Sequence, residues 1–183
     1  MTTDTREKII QLAQQAIATR GYSAFSFREL AAELGIKSAS IHYHFPTKTH
    51  LGVEVACRYR GQLQQAFDNI ENGYANDPKK AIESLIAVYR YEARTSQRMT
   101  VCIMLAAEIK NLPGEIQAEM ANFYDLNIGW LEHQFQKLDH ENSREKASQL
   151  FALLQGGLMG AKGQNDPAYF DVVVKAAQLL LQN

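Results

Sequence analysis

Cysteine is scarce in this chain: Cys57 and Cys102 are the only two in 183 residues. They fall on separate predicted helices with no C-x-x-C spacing, which argues against a disulfide framework and against a cysteine zinc site. Long apolar runs are missing as well. No stretch approaches the 18 or so residues a membrane-spanning helix needs. The leading segment MTTDTREKIIQLAQQ mixes both charge signs and lacks an apolar signal core or a cleavage site, so a cytoplasmic protein is expected. Catalytic signatures are absent too: there is no Gly-rich phosphate loop, nucleophile elbow or spaced carboxylate pair. Of the five histidines, His42 and His44 are the only close pair, and their i, i+2 spacing on a helix points the rings to different faces. The sequence therefore calls for no enzyme activity, no metal and no cofactor.

What is present describes a globular chain with a proper core. Hydrophobic residues make up 46% of the sequence, and the mean hydropathy is -0.29. The net charge of -1 speaks at first against a nucleic-acid ligand, but the charge is unevenly placed. Residues 1–50 hold six cations (Arg6, Lys8, Arg20, Arg28, Lys37, Lys48) against four acids (Asp4, Glu7, Glu29, Glu33), with three histidines besides.

The segment from Phe25 to Leu51, FSFRELAAELGIKSASIHYHFPTKTHL, carries the most information. Ser26 followed by Glu29 is a capping box and starts a helix. Phe27, Leu30, Ala31 and Leu34 then form an apolar stripe at i, i+3, i+4 and i+7 that stops at Gly35, the residue best able to turn left-handed. After Ile36 at the corner, a second short helix begins near Lys37 or Ser38 and runs to the break at Pro46. Its Ile41 and Phe45 share one face for burial. Lys37, Ser38, Ala39, Ser40, His42, Tyr43 and His44 are left facing outward. Small side chains let a helix approach base edges, while hydroxyls, rings and Lys reach bases or phosphates, so this is a helix-turn-helix with the second helix as reader. Two short helices around a glycine also occur as plain structural corners, and the geometry alone leaves that alternative open.

The order of motifs goes further. A first helix, Thr5–Thr19, ends in Arg20-Gly21-Tyr22. Phe25-Ser26-Phe27-Arg28-Glu29-Leu30-Ala31 then enters the second helix, and Gly35-Ile36 makes the turn. Ser40-Ile41-His42-Tyr43-His44-Phe45 follows, with Lys48 and Leu51 after it at fixed spacing. Residues 5–51 thereby resemble the N-terminal domain of the TetR/AcrR family of one-component transcriptional regulators. The resemblance implies phosphate-positioning roles for Tyr43, His44, Lys48 and the Ser26/Arg28 region. Arg28 could equally pair with Glu29 or Glu33 as a solvated charge, and His44 could be partly a packing residue. The family usually has Tyr at the position of His42 and often Ser or Thr at that of Lys37, so the base contacts here should differ from those of other members.

Beyond Leu51 the chain reads as helix throughout, giving an all-α protein of about nine helices. Residues 1–50 are expected to form the three-helix DNA-binding domain, and 51–183 a ligand-binding and dimerisation bundle. A long helix from Lys48 to about Asn72 carries Val55, Tyr59, Leu63, Phe67 and Ile70 along one side. Pro78 opens a helix with Ala81, Leu85, Val88 and Tyr89 on its buried side, and a shorter apolar segment, Met99 to Ile109, follows. Leu112-Pro113-Gly114 turns into a helix from Glu115 to about Leu138, and Asp139–Ser143 is a loop. The last two helices run from Arg144 to about Gly160 and from Tyr169 to Leu181.

These two helices are the expected subunit interface. Gly156, Gly157 and Gly160 lie within five positions, and a helical glycine costs roughly 1 kcal/mol relative to Ala, so something must approach that backbone closely. The alternative is that the glycines end the helix early, at Gln155. Leu153, Gly156, Gly157, Gly160, Val173, Ala176, Ala177 and Leu180 are the interface candidates. The resemblance implies the same, since the family dimerises through its last two helices. A dimer also answers the small positive excess of the reader, because two reading helices about 34 Å apart supply the contacts that one lacks.

Tyr89, Tyr91, Met99, Cys102, Met104, Phe123, Tyr124, Trp130, Phe151 and Met159 are large, soft or aromatic, suited to line an apolar small-molecule pocket or simply to fill the core. Glu108, with Arg94 and His133 as partners, is the polar group best placed to orient a ligand, or else a solvated charge. Cys102 is either a reactive sensor, alkylated or oxidised by an electrophile, or a buried small hydrophobe. Together these features predict a homodimeric, ligand-responsive repressor that binds a pseudo-palindromic double-stranded operator and is released by a small apolar or reactive inducer. The competing reading is a ligand-binding or adaptor protein that keeps the helix-turn-helix as scaffold only.

Overall fold

In a computed structural model, residues 2–96 and 98–182 are described. Among them are nine α-helices and no strand: α1 (Thr2–Arg20), α2 (Phe27–Leu34), α3 (Ser38–His44), α4 (Lys48–Gly73), α5 (Pro78–Thr95), α6 (Val101–Ala107), α7 (Gly114–Lys137), α8 (Ser143–Gly163) and α9 (Tyr169–Leu180). A single 3-10 turn, Ile109–Asn111, follows α6. The all-α class is as the periodicity predicts. No helix among the described residues is long and apolar enough to cross a membrane.

The chain divides into two compact units, one comprising residues up to Gln62 together with Met99–Phe123, the other Leu63–Arg98 with Tyr124–Asn183. In the first unit α6 packs against α1, and α1 against α2 and α3. Its core takes Ile9, Ile10, Ala13 and Ile17 from α1, Leu30 from α2, Ile41 from α3, Leu51 and Val55 from α4, and Leu105 from α6, each at most 1% exposed. Ion pairs fasten α1 to α4 at its rim: Arg6 to Glu54 at 3.0 Å, and Glu7 to Arg58. In the second unit α8 lies along α9, and α5 packs on both. Phe67 and Trp130 stack face to face with centroids 4.4 Å apart. Arg90 and Arg94 on α5 both grip Asp171 on α9 at 2.8 and 3.1 Å. The guanidinium of Arg90 holds the Asp171 carboxyl below its ordinary value.

Two details depart from the sequence reading, and a third closes the alternative it left open. Val88 is 53% exposed, because the buried stripe of α5 runs through Ala81, Ile82, Leu85, Ile86 and Ala93 and leaves Val88 beyond its margin. The apolar segment after Met99 is only seven residues of α-helix before it tightens into the 3-10 turn. Finally, α8 does not stop at Gln155 but continues through all three glycines to Gly163.

Candidate nucleic-acid interface

Local chemistry holds the two short helices rigidly. At the start of α2 the Ser26 hydroxyl accepts the Glu29 N–H at 3.3 Å while the Glu29 carboxylate accepts the Ser26 N–H at 2.8 Å. The Ser26 hydroxyl, which also donates to the Glu29 carboxylate at 3.0 Å, and the Ser26 N–H keep the Glu29 carboxyl below its ordinary value. At the other end Gly35 takes φ 66°, and the amides of Gly35 and Ile36 donate to the carbonyls of Ala32 (3.2 Å) and Ala31 (3.0 Å), a Schellman closure. An added Cβ at Gly35 would meet nothing within 4 Å, so the left-handed backbone, not crowding, calls for glycine here.

This corner projects α3 with Ile41 fully buried and Phe45, just past its end, 3% exposed. Lys37, Ala39, His42 and Tyr43 are exposed, Tyr43 by 79%, while Ser38, Ser40 and His44 are half-buried. The expected outward face is thus present. His42 is also engaged with the rest of the protein: its ring meets Phe27 edge-on at 4.9 Å and its Nδ1 lies 3.4 Å from the Pro46 carbonyl oxygen. Tyr43 meets His44 edge-on at 5.2 Å. Arg28 is exposed on α2; Ser26, also exposed, has its hydroxyl in the capping box.

Lys48 is the position where the structure adds most. The first residue of α4 is half-buried, with its ammonium donating to the Ser23 carbonyl at 3.3 Å and standing 4.6 and 4.5 Å from the ring centroids of Tyr22 and Phe25. Burial pushes this ammonium below the ordinary lysine value, with Glu108 and Glu29 opposing the shift. Glu108, expected to orient a ligand, reaches the same turn: its carboxylate accepts the Ser23 N–H at 2.9 Å and the Ser23 hydroxyl as well. Ser23 and Tyr22 were not legible as site residues. Ser23 lies 85 residues from Glu108 in the chain, and no spacing rule connects them.

The other pocket candidates scatter. Tyr91 is 68% exposed and Tyr124 39% exposed, whereas Phe123, Trp130 and Phe151 are buried. Tyr89, Met99 and Met104 are half-buried, Met159 is 48% exposed, and Arg94 is committed to Asp171. Gln155 donates to the Tyr89 hydroxyl at 3.3 Å. Cys102 is 4% exposed, with its sulfur 3.1 Å from the Thr100 hydroxyl and 4.0 Å from that of Tyr59, and the space beside it amounts to about 10 Å³, room for one water at most. The Trp130 indole N–H is buried without a hydrogen-bond partner. Among the described residues no group of three or more His, Cys, Asp or Glu could hold a metal ion.

On α8 and α9 five of the eight interface candidates, Leu153, Gly156, Gly157, Val173 and Leu180, line one groove. An open groove of about 680 Å³ is lined by Leu153, Gly156, Gly157, Tyr169, Val173 and Leu180, with Gln149 and Ala152. Val172 and Leu179 are both 65% exposed. The glycines, however, answer to α9 of the same chain: a Cβ on Gly157 would sit 2.5 Å from Val173 Cγ2, and one on Gly160 would overlap the Tyr169 ring. Only at Gly156 is there nothing within 4 Å. Ala177 is fully buried, and Ala176 and Leu180 are half-buried.

Comparison with known proteins agrees with this geometry. Residues 9–55 match the bacterial regulatory proteins of the tetR family. The crystal structure of a TetR transcriptional regulator from Legionella pneumophila superposes with a TM-score of 0.89 and is 31% identical, over 96% of each chain. The chain belongs to the TetR family. It is a transcriptional regulator with a helix-turn-helix DNA-binding head, and not an enzyme. Among other TetR-type relatives, the HTH-type negative transcriptional regulator IcaR of the Staphylococcus aureus biofilm operon icaADBC is 26% identical over 151 residues, covering 73% of this chain and 77% of IcaR. The match to the HTH-type regulator YerO of Bacillus subtilis is 29% identical over 79 residues, and spans 43% of this TetR-family chain but only 27% of YerO.

Proposed function

We propose that this regulator is a repressor that binds a pseudo-palindromic operator as a homodimer and is released by a small apolar or reactive inducer. The observation that carries it is α3 itself, whose Lys37, Ala39, His42 and Tyr43 face solvent while Ile41 and Phe45 lock it to the head. Lys37 and His42 are assigned to bases, Ser38, Ala39 and Ser40 to close approach, and Tyr43, His44, Arg28 and the Ser26 turn to phosphates. Lys48 contributes a phosphate contact through N–H groups not directed at Ser23, since an ammonium has three. Repression is supported by the likeness to IcaR, a negative regulator. Dimerisation is supported by the apolar groove along α8 and α9. An inducer is supported by the buried, unpartnered Trp130 N–H, a donor that a bound polar atom would satisfy. The burial of Cys102 favours an apolar ligand over an electrophile attacking that thiol. Induction then needs only that the ligand prefer a conformation with weaker operator affinity, about tenfold per 1.4 kcal/mol of preference.

The test is a genomic-fragment selection at near-physiological salt with wild type and a Tyr43→Ala, Lys48→Ala double variant. One pseudo-palindromic site recovered by wild type and lost by the variant supports the reading; equal, sequence-blind retention by both would sink it. On the recovered site, Lys48→Ala alone should weaken binding to all DNA and lower the slope of log K against log salt by about one. A slope left intact would remove Lys48 from the phosphate contacts. Lys37→Ala and His42→Ala should instead change which bases are preferred, read by repeating the selection from a randomised half-site.

A further inference from the structure

Ser23, in the turn between α1 and α2, has all of its polar groups engaged by two distant parts of the chain. Its N–H and its hydroxyl both donate to the Glu108 carboxylate, at the C-terminal end of α6. Its carbonyl accepts from the ammonium of Lys48, the first residue of α4. The turn is shaped for this. Gly21 sits at φ +88°, and a Cβ there would overlap Glu108 Oε1, so the glycine leaves the space the carboxylate fills. Tyr22 and Phe25 meet edge-on at 5.7 Å and wall the ammonium from the other side. The sequence carries the same turn directly into the Ser26 capping box, three residues on from Ser23.

We infer that Glu108 is a positioning residue of the DNA-binding head: through Ser23, and with Lys48, it holds the turn that sets where α2 and hence the reading helix α3 begin. The inference rests on the operator-binding reading above. Its physical basis is that hydrogen bonds to an ionised carboxylate are shorter and stronger than neutral ones, and here two of them join Glu108 to one residue of the turn. Glu108 touches no DNA in this arrangement, so its effect should carry no salt signature of its own.

The experiment compares wild type with Glu108→Gln, Ser23→Ala and the double variant in two measurements: backbone amide exchange of the free protein, and anisotropy titrations on the selected operator fragment at several salt concentrations. Glu108→Gln keeps the size of the side chain and one acceptor oxygen but removes the charge. It should speed exchange of the Ser23 amide and its neighbours up to the start of α2, and weaken operator binding about tenfold with the salt slope unchanged. Ser23→Ala should act in the same direction, and the double variant should be no worse than Glu108→Gln alone, because both changes break one joint. A merely structural role would instead show as a lowered melting temperature with affinity lost in proportion to the unfolded fraction. Unchanged exchange at Ser23, or faster exchange with unchanged affinity, overturns the inference. Should wild type bind no fragment selectively, the operator reading falls, while the exchange data still decide whether Glu108 holds the turn.

Discussion

Glutamates at both Val172 and Leu179 are expected to give a folded monomer that binds the operator roughly a hundredfold or more weakly than wild type. Both side chains are 65% exposed, spaced i, i+7 on α9 with Ala176 between them, beside the groove bordered by Leu153 and Gly156. Exposed apolar side chains grouped beside such a groove mark a place where another surface docks. Because neither side chain contributes to the core of its own subunit, replacing it with a carboxylate should leave the subunit fold within about 0.5 kcal/mol of wild type. Across the proposed two-fold interface the same carboxylates would be buried without partners, four per dimer, and each unpaired buried charge costs about 3–5 kcal/mol. Loss of the dimer removes the second reading helix, and with it half of the base and phosphate contacts. Sedimentation equilibrium reads the oligomeric state, a thermal melt the fold, and anisotropy the affinity. A variant that stays dimeric would show that this face of α8 and α9 is not the interface.

Gly157→Ala should lower the stability of the subunit by about 1–3 kcal/mol, the usual result of forcing a methyl into a packed core. The new Cβ would lie 2.5, 2.9 and 3.0 Å from Cγ2, Cγ1 and Cβ of Val173. Val173 is 8% exposed and β-branched, so it has no spare rotamer by which to retreat. At this chain length each kcal/mol shifts the melting temperature by roughly 2–4 °C. Gly129→Ala supplies the contrast: Gly129 is also inside a helix, α7, but nothing lies within 4 Å of its Cβ position, and there Ala should be neutral or stabilising by up to about 1 kcal/mol. A calorimetric melt of the two variants separates the readings. Equal melting temperatures would mean that α8 and α9 can part by the roughly 1 Å needed, and that the close approach does not hold them.

The same residues show how far the sequence carries the reading. The head was legible because its signals are local: Ser26 caps Glu29 three residues away, Gly35 supplies a left-handed φ that its neighbours cannot, and Ile41 with Phe45 repeat at helical spacing. Each is a property of a few adjacent residues and survives any tertiary setting. The glycines of α8 were half legible. Their density announces a close approach, but only the packed chain tells that Gly157 and Gly160 lie against α9 of the same chain and that, of the three, Gly156 has open space at its Cβ position. The tie from Glu108 to Ser23 was not legible, because an acid on a short apolar helix has no local partner to reveal it.

What the sequence by itself determined, then, is the helical class, the corner between α2 and α3, and which side chains of α3 face away from Ile41, all consequences of periodicity and backbone preference within one or two turns. What only the tertiary structure decided is every pairing across long separations: Ser23 with Glu108, Lys48 with the Ser23 carbonyl, Gly157 with Val173, and Arg94 with Asp171 rather than Glu108. Such contacts follow from the way helices stack side by side, and the pattern of any one helix states which face is buried without stating what it is buried against.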